Sequence, residues 1–298
     1  MDDVDALAQR FAAHRPYLEA VAYRMLGSRP DAADAVQEAW LRLARSPADE
    51  VRNLRAWLTT VVGRICLDML RSRATRREEP LDVRVPDPVV TFEGDDPERE
   101  AVLADTVGLA LLVVLDTLTP AERLAFVLHD LFAVPFTEVG AIMGRSAAAA
   151  KQLASRARRC LRDAPVSDGD PTRQRRVVNA FLAAAREGDF AALLSVLDPD
   201  VVLRADTGGA GFGPSRVVRG APAVVEQAMA FTHLARFAVP AMVNGHPGLV
   251  VVPHGRVVAV LDATVRQGWI VELNILADRE RLRHLDREPT AKRTSARR

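Results

Sequence analysis

Little in this sequence invites covalent or metal chemistry. Only two of its 298 residues are cysteine, Cys66 and Cys160, each in an amphipathic, helix-like segment without a Cys-x-x-Cys or a neighbouring histidine. That spacing signals neither a disulfide nor a metal site, and no cofactor is implied; both thiols are expected to be buried and reduced. No apolar run approaches the ~20 residues that a membrane span requires. The opening stretch MDDVDALAQR is acidic where a secretory leader is basic and then apolar. The expectation is a cytoplasmic protein that makes no membrane contact. Charge of one sign is not in excess either, since the formal net charge is +1.

The charges are nevertheless sorted along the chain. Seven arginines fall between Ser46 and Arg77, and six basic residues with no acid fall between Arg145 and Arg162. Between these stretches, Glu78 to Asp105 carries ten acids and two bases. Two basic regions joined by an acidic connector suit a protein that touches a phosphate backbone at two separated places.

Apolar periodicity divides the chain. Residues 1–77 repeat at helical spacing, through Phe11, Leu18, Val21 and Ala22 and again through Val36, Trp40 and Leu43. Residues 78–97 break the pattern with Pro80, Pro86, Pro88 and Pro97, which withhold backbone donors and favour extended neighbours; this segment reads as a linker. Helical signals resume over 98–165, where Thr119-Pro120 is a helix start and Gly144 a helix stop. After the turn-rich joint Ser167 to Pro171, residues 171–285 read as an α+β domain. It has a helix to about Glu187 and short strands at Val201–Leu203, Leu249–Val252, Val257–Leu261 and Ile270–Ile275. Residues 286–298 are basic and almost free of large apolar groups, as in a disordered tail.

The second helical module has helix-turn-helix grammar. A helix over Pro135 to Met143 is followed by the turn Gly144-Arg145-Ser146 and a helix over Ala147 to Leu161. Leu153, Ala157 and Cys160 or Leu161 face inward. Lys151, Gln152, Ser155, Arg156, Arg158, Arg159 and Arg162 are left outside. The small side chains at 147–150, Ala148 and Ala149 among them, let the backbone come close to base edges. In the first module, Asp31, Asp34, Gln37 and Glu38 form an acidic stripe opposite Trp40, suited to a basic partner helix. A helix from Arg55 to Arg71 then leads into Arg73, Arg76 and Arg77.

These segments resemble the extracytoplasmic-function sigma factors. Asp31-Ala-Ala-Asp-Ala-Val-Gln-Glu-Ala-Trp-Leu-Arg-Leu43 looks like the family's segment that docks on the β′ clamp helices of RNA polymerase. Arg55-Ala-Trp-Leu58 through Arg71 looks like the segment that opens and reads the −10 element, and Thr119 through Arg158 is similar to the region that reads the −35 element. The resemblance implies core polymerase, through its β′ clamp helices and β flap, and promoter DNA as partners. It places polymerase contacts at Asp31, Asp34, Gln37 and Glu38. DNA contacts would fall at Arg52, Asn53, Arg64, Arg71, Arg73, Arg76, Arg77, Arg145, Ser146, Ala148, Ala149, Lys151, Gln152, Ser155, Arg156 and Arg159. By the same resemblance the loop Ser46 to Asn53 holds a flipped base, without an aromatic ring to stack on it.

The third domain opens like a SnoaL-like domain, a curved sheet and helices forming a cone with a pocket. A subgroup of these sigma factors carries such a domain and, by resemblance, uses it in place of a separate anti-sigma protein. Arg84-Val-Pro-Asp-Pro88 is similar to the subgroup's Trp-Leu-Pro-Glu-Pro linker motif without the Trp. Asp206-Thr-Gly-Gly-Ala210 resembles Asp-Gly-Gly-Gly-Lys without the Lys, and Leu276 to Glu280 matches Asn-Pro-Asp-Lys-Leu at Asp278 and conservatively at Arg279. A regulatory contact is therefore expected around Asp206, Gly208, Gly209, Asp278 and Arg279, with the glycine-rich segment 206–213 packing on a helical module.

The chain as a whole is expected to be multidomain, with two all-α modules followed by an α+β SnoaL-like cone. SnoaL-like folds also occur as enzymes with an Asp or His in the pocket, for which Asp206, His233, His246, His254 and Asp262 are candidates. Their spacing specifies no reaction, and no catalytic residue is assigned; the alternatives are a pocket that binds a small molecule as a regulatory signal and a protein–protein module that packs on the sigma core. A buried Asp or His at the base of a pocket favours chemistry, and an apolar filling favours structure. A conventional helix-turn-helix repressor would account for the second module, but not for the acidic face at 31–38 or the acidic linker.

Overall fold

A computed structural model of the chain describes residues 2–46, 53–76, 83–92, 109–162, 167, 169–209 and 212–285. The backbone divides into two compact units, one of residues 1–81, 97–105 and 111–164 and the other of 82–96, 106–110 and 165–298. The loop before Asn53, together with Arg52, Arg77 and the tail 286–298, lies outside the described residues, as does the side chain of Arg76.

The first unit is helical. α1 (Asp2–Leu26), α2 (Arg29–Ala44) and α3 (Leu54–Arg76) make its first bundle, with Leu18, Val21, Ala22, Val36 and Leu43 buried as their spacing requires. α4 (Leu109–Thr117) and α5 (Pro120–Phe126) lead through a π-helical turn at Val127–Leu131 to α6 (Phe136–Met143) and α7 (Ala147–Leu161). Thr119 and Glu122 form a reciprocal capping box at the start of α5, satisfying donors that the first turn leaves open. Gly144, at φ 65°, ends α6, and the Ser146 hydroxyl accepts from Ala149 N at 3.2 Å to start α7.

Gly140 lets α6 press against that turn. A Cβ there would sit 2.7 Å from the carbonyl oxygen of Arg145. Gly140→Ala is therefore expected to destabilise the helix-turn-helix by ~1–3 kcal/mol, read as a lower denaturant midpoint.

The second unit is a seven-stranded sheet in the order β1-β4-β5-β6-β7-β2-β3. The strands are β1 (Val90–Thr91), β2 (Leu197–Asp206), β3 (Arg216–Arg219), β4 (Ala238–Val243), β5 (His246–Val251), β6 (Ala259–Arg266) and β7 (Trp269–Leu276). Pairing is antiparallel except between β2 and β7. α8 (Pro171–Glu187), α9 (Phe190–Val196), α10 (Ala221–Ala230) and α11 (Thr232–Ala235) supply the rest of the domain, and α12 (Arg279–Leu282) follows β7. Odd-numbered residues of the central strands, such as Leu203, Leu249 and Leu273, meet Phe181 and Leu182 of α8 in one apolar cluster.

Two expectations change. Cys160 is exposed, because the inward positions of α7 run through Ala150, Leu153, Ala154 and Ala157 and the next in step is residue 161. The segment 78–97 is more than a linker, since Val90 and Thr91 pair with Val243 and Met242 as an edge strand of the domain's sheet. Cys66 is buried as expected, and desolvation pushes its thiol up to about 12, which keeps it protonated and unreactive.

Candidate nucleic-acid and polymerase interfaces

α7 presents one basic face. Lys151, Gln152, Ser155, Arg156 and Arg159 are exposed, as are Arg145 and Ala148 ahead of them, while Ala150, Leu153, Ala154 and Ala157 are buried against the unit's core. Ser146 is committed to the cap. Arg158 lies aside, donating to Asp130 at 2.7 Å. The basic positions from Arg145 onward thus reduce to a smaller outward-facing set running from the helix start, where base edges are read in a helix-turn-helix, to Arg159 in its last turn.

α2 presents an acidic face. Asp34 and Gln37 are exposed, and Glu38 is partly exposed, accepting from Arg42 at 3.0 Å. Trp40, on the other side, leans on Phe11 with ring centroids 5.1 Å apart. Leu41 falls one helical step beyond Asp34 and Gln37 on the same face and is 40% exposed, so the stripe carries an apolar contact point as well. Leu41 was missed because a leucine in an amphipathic helix reads as core; its i+7 relation to Asp34 was the available signal. Asp31 differs from the rest of the stripe, because Arg73 of α3 donates to its carboxylate and to Leu26 O at 3.0 Å.

α3 therefore commits part of its basic set to intramolecular hydrogen bonds. Arg64 donates to the carbonyls of Ala141 and Ile142 at 3.3 and 3.4 Å, where α6 ends, and Gly63 leaves room for Ile142 and Leu128. In the same way Arg123 donates to Arg24 O at 3.0 and 3.2 Å and pairs with the buried Asp116. These guanidiniums complement the partial negative charge at helix C-termini, and two of them do so from one helical module to the other. Arg71 is exposed beside Asp68, and Asn53 caps α3 by accepting from Ala56 N at 3.1 Å.

Two family models match this chain, Sigma-70 region 2 over residues 10–76 and Sigma-70 region 4 over residues 108–161. The ECF RNA polymerase sigma factor SigJ of Mycobacterium tuberculosis is 47% identical over 219 residues, 72% of this chain and 70% of its own length. The probable ECF RNA polymerase sigma factor SigI of the same organism is 35% identical over 93% of this chain and 94% of its own. The chain belongs to the extracytoplasmic-function RNA polymerase sigma factors. The crystal structure of the M. tuberculosis SigJ also matches the whole architecture, with a TM-score of 0.74 and 37% identity over 92% of this chain and 97% of that one. As a sigma factor the protein binds core RNA polymerase and directs initiation at promoters. It does so with region 2 and region 4 modules followed by an α+β SnoaL-like domain. No helix among the described residues is long and apolar enough to cross a membrane.

The sigma factor's third domain holds the interdomain linker. Asp206 accepts from Val85 N at 3.1 Å and from Arg281 at 2.7 Å. Arg281 also donates to Asp87 at 2.6 Å and to Val85 O at 2.5 Å. Asn244 accepts from Val89 N at 2.8 Å, next to the β1–β4 pairing. Of the residues expected to make a regulatory contact, Asp206 thus touches the linker directly. Asp278 caps α12, the helix that carries Arg281, by accepting from Glu280 N and Arg281 N, and Arg279 opens that helix. A Cβ on Gly208 would meet the Asp278 carboxylate at 2.4 Å, whereas Gly209 faces open space. Arg281, Val85 and Asn244 were missed because each matters only through a partner far along the chain.

None of the five acid–base candidates lines the domain's cavity, which is bounded by apolar side chains with Thr207, Arg216 and Gln227. Asp262, Glu272 and Asn274 lie on the opposite face of the sheet. Burial, reinforced by the Glu272 charge, pushes the Asp262 carboxyl up to about 7. Its folded form therefore binds a proton that the unfolded chain releases near pH 4, so stability declines as pH rises from about 4 to about 7. Asp262→Asn is expected to stabilise the protein by a few kcal/mol at pH 8 and to leave it nearly unchanged at pH 4, as read from unfolding midpoints at the two pH values.

Proposed function

We propose that this sigma factor docks on the polymerase β′ clamp helices through Asp34, Gln37, Glu38 and Leu41, and reads the −35 element through Arg145, Ala148, Lys151, Gln152, Ser155, Arg156 and Arg159. The β flap and the cytoplasm follow as the partner surface of region 4 and the place of action. Arg71 serves the −10 element from an exposed position. Arg64 and Arg73 serve it once they leave their intramolecular carbonyls. The third domain acts as a built-in regulator rather than a catalyst, so no separate anti-sigma protein is required.

The observation that carries the regulatory reading is the clamp of Arg281 and Asp206 on Val85 and Asp87. Reading two promoter elements at once requires region 2 and region 4 to stand apart with the linker extended between them. A linker whose residues 85–91 are pinned to a folded domain has less free length for that span, and the pinned state competes with the polymerase-bound one. The buried Asp206–Arg281–Asp87 cluster depends on all its members, because removal of one leaves a charge without its partner.

Arg281→Gln and Gly208→Val, the latter displacing Asp278, are both expected to raise transcription by core enzyme several-fold. Both should also make the segment around Val85 cleavable by a protease in the free protein. Unchanged cleavage together with unchanged transcription would remove the clamp from the mechanism. Gly209→Ala, into open space, serves as the comparison for backbone strain alone.

A further inference from the structure

The third domain holds a partly open cavity of about 150 Å3. Phe181 and Leu182 of α8, Phe231 just before α11, Leu234 within it, and Leu203 and Leu273 of the sheet illustrate its lining, which is almost wholly apolar. A space of that size with such walls has room for a benzene-sized hydrocarbon group. The core is thus hollow where close packing is the rule, so its walls lack dispersion partners that a ligand's apolar body would supply.

Among the described residues, one charge faces this space. Arg216 lies on β3 opposite Ala205, on the cavity side of the sheet. Its Nε is buried and has no hydrogen-bond acceptor among the described residues, and its Nη1 reaches only Pro214 O, at 3.5 Å. The guanidinium sits 5.9 Å from the centroid of the Phe231 ring. No Asp or Glu among the described residues lines the cavity. Of the other polar lining residues, Thr207 and Gln227, the Thr207 hydroxyl already donates to Gly213 O at 2.6 Å. A half-buried guanidinium whose buried Nε–H has no acceptor is left partly unsatisfied, and its Nε–H and Nη–H together match a carboxylate in bidentate fashion.

We infer that the cavity is a binding site for a small apolar monocarboxylate, an aromatic or medium-chain acid whose hydrocarbon part fills the cone and whose carboxylate pairs with Arg216. Such a ligand bears on the linker through one short path. Ser215, next to Arg216, donates to Asp206 at 3.4 Å and accepts from Thr207 N at 3.1 Å, and Asp206 holds Val85. Binding at Arg216 therefore orders the turn that positions the linker anchor. This regulatory consequence rests on the clamp reading above; the binding itself does not.

Calorimetric titration of the full-length protein with benzoate and octanoate, and with benzyl alcohol and 1-octanol as neutral counterparts, tests the site. At least one acid is expected to bind ten-fold or more tighter than its alcohol. Arg216→Gln should abolish that difference, and Ala228→Phe, which fills the cavity, should abolish binding altogether. Failure of both acids to bind the parent, or equal affinity for acid and alcohol, would overturn the proposal without reference to any variant. Unchanged acid affinity in Arg216→Gln would do so as well. If the acids bind but transcription and the cleavability of the segment around Val85 do not respond, the site stands and its coupling to the linker is overturned, while the clamp is judged by Arg281→Gln.

Discussion

Replacing Lys151, Arg156 and Arg159 together with alanine is expected to reduce promoter-directed transcription by two orders of magnitude while leaving the affinity for core polymerase within about two-fold. All three side chains are exposed on the face of α7 opposite Leu153 and Ala157, so truncation removes charge without touching the core. Removing one Lys or Arg that touches phosphate lowers the slope of log affinity against log salt by roughly one, so the slope should fall by as much as three if all three reach phosphate. If one of them reads a base edge instead, that position of the upstream element relaxes by ~1–3 kcal/mol and the slope falls by less. Binding to promoter fragments across a salt series measures both. An unchanged slope would place DNA binding on another surface.

The second large effect is expected at α2. Asp34→Lys with Glu38→Lys reverses two charges one helical turn apart and should weaken core binding by ~10–100-fold, chiefly by placing like charges against a basic partner helix. Asp34 is exposed and Glu38 partly so, and the change breaks only the surface pair to Arg42, so folding should be unaffected. Leu41→Ser weakens binding separately, because it removes apolar area without charge. The reversal of Asp31 is a poorer test, since its carboxylate is held by Arg73 and the change would disturb the bundle. Pull-down of core enzyme by the folded variant, with its thermal unfolding beside the parent's, reads the effect directly.

What the sequence disclosed and what it withheld follow from the range of the interactions. α7 was legible because its signals are local: a Ser146 cap, small residues in the first turn, and a 3.6-residue apolar step through Ala150, Leu153 and Ala157. The start of α5 at Thr119 and the end of α6 at Gly144 were legible for the same reason. β4 was not, because Pro240 stands in its middle. The structure tolerates that proline on the part of the strand that β1, paired only at Met242 and Val243, leaves uncovered. β1 itself is two residues whose partner strand lies in the third domain, far along the chain, and nothing nearby marks it as strand. Arg64 and Arg73 show the limit for the functional face. A string of arginines on α3 suggested phosphate, but a guanidinium also suits a helix C-terminus, and only the fold brings Ala141 and Leu26 within reach. The hollow centre of the third domain followed only from the SnoaL-like resemblance, since Leu203, Leu249 and Leu273 read as core residues whether or not the space between them is filled.

The central claim is that this chain converts core RNA polymerase into a promoter-specific enzyme. Its most direct test is transcription by purified core enzyme on fragmented genomic DNA of the source organism, with and without the full-length protein, followed by mapping of the 5′ ends. The account predicts a small set of new start sites, present only with the protein, that share paired upstream elements at fixed spacing and vanish with Asp34→Lys/Glu38→Lys. Start sites identical to those of core enzyme alone would contradict it.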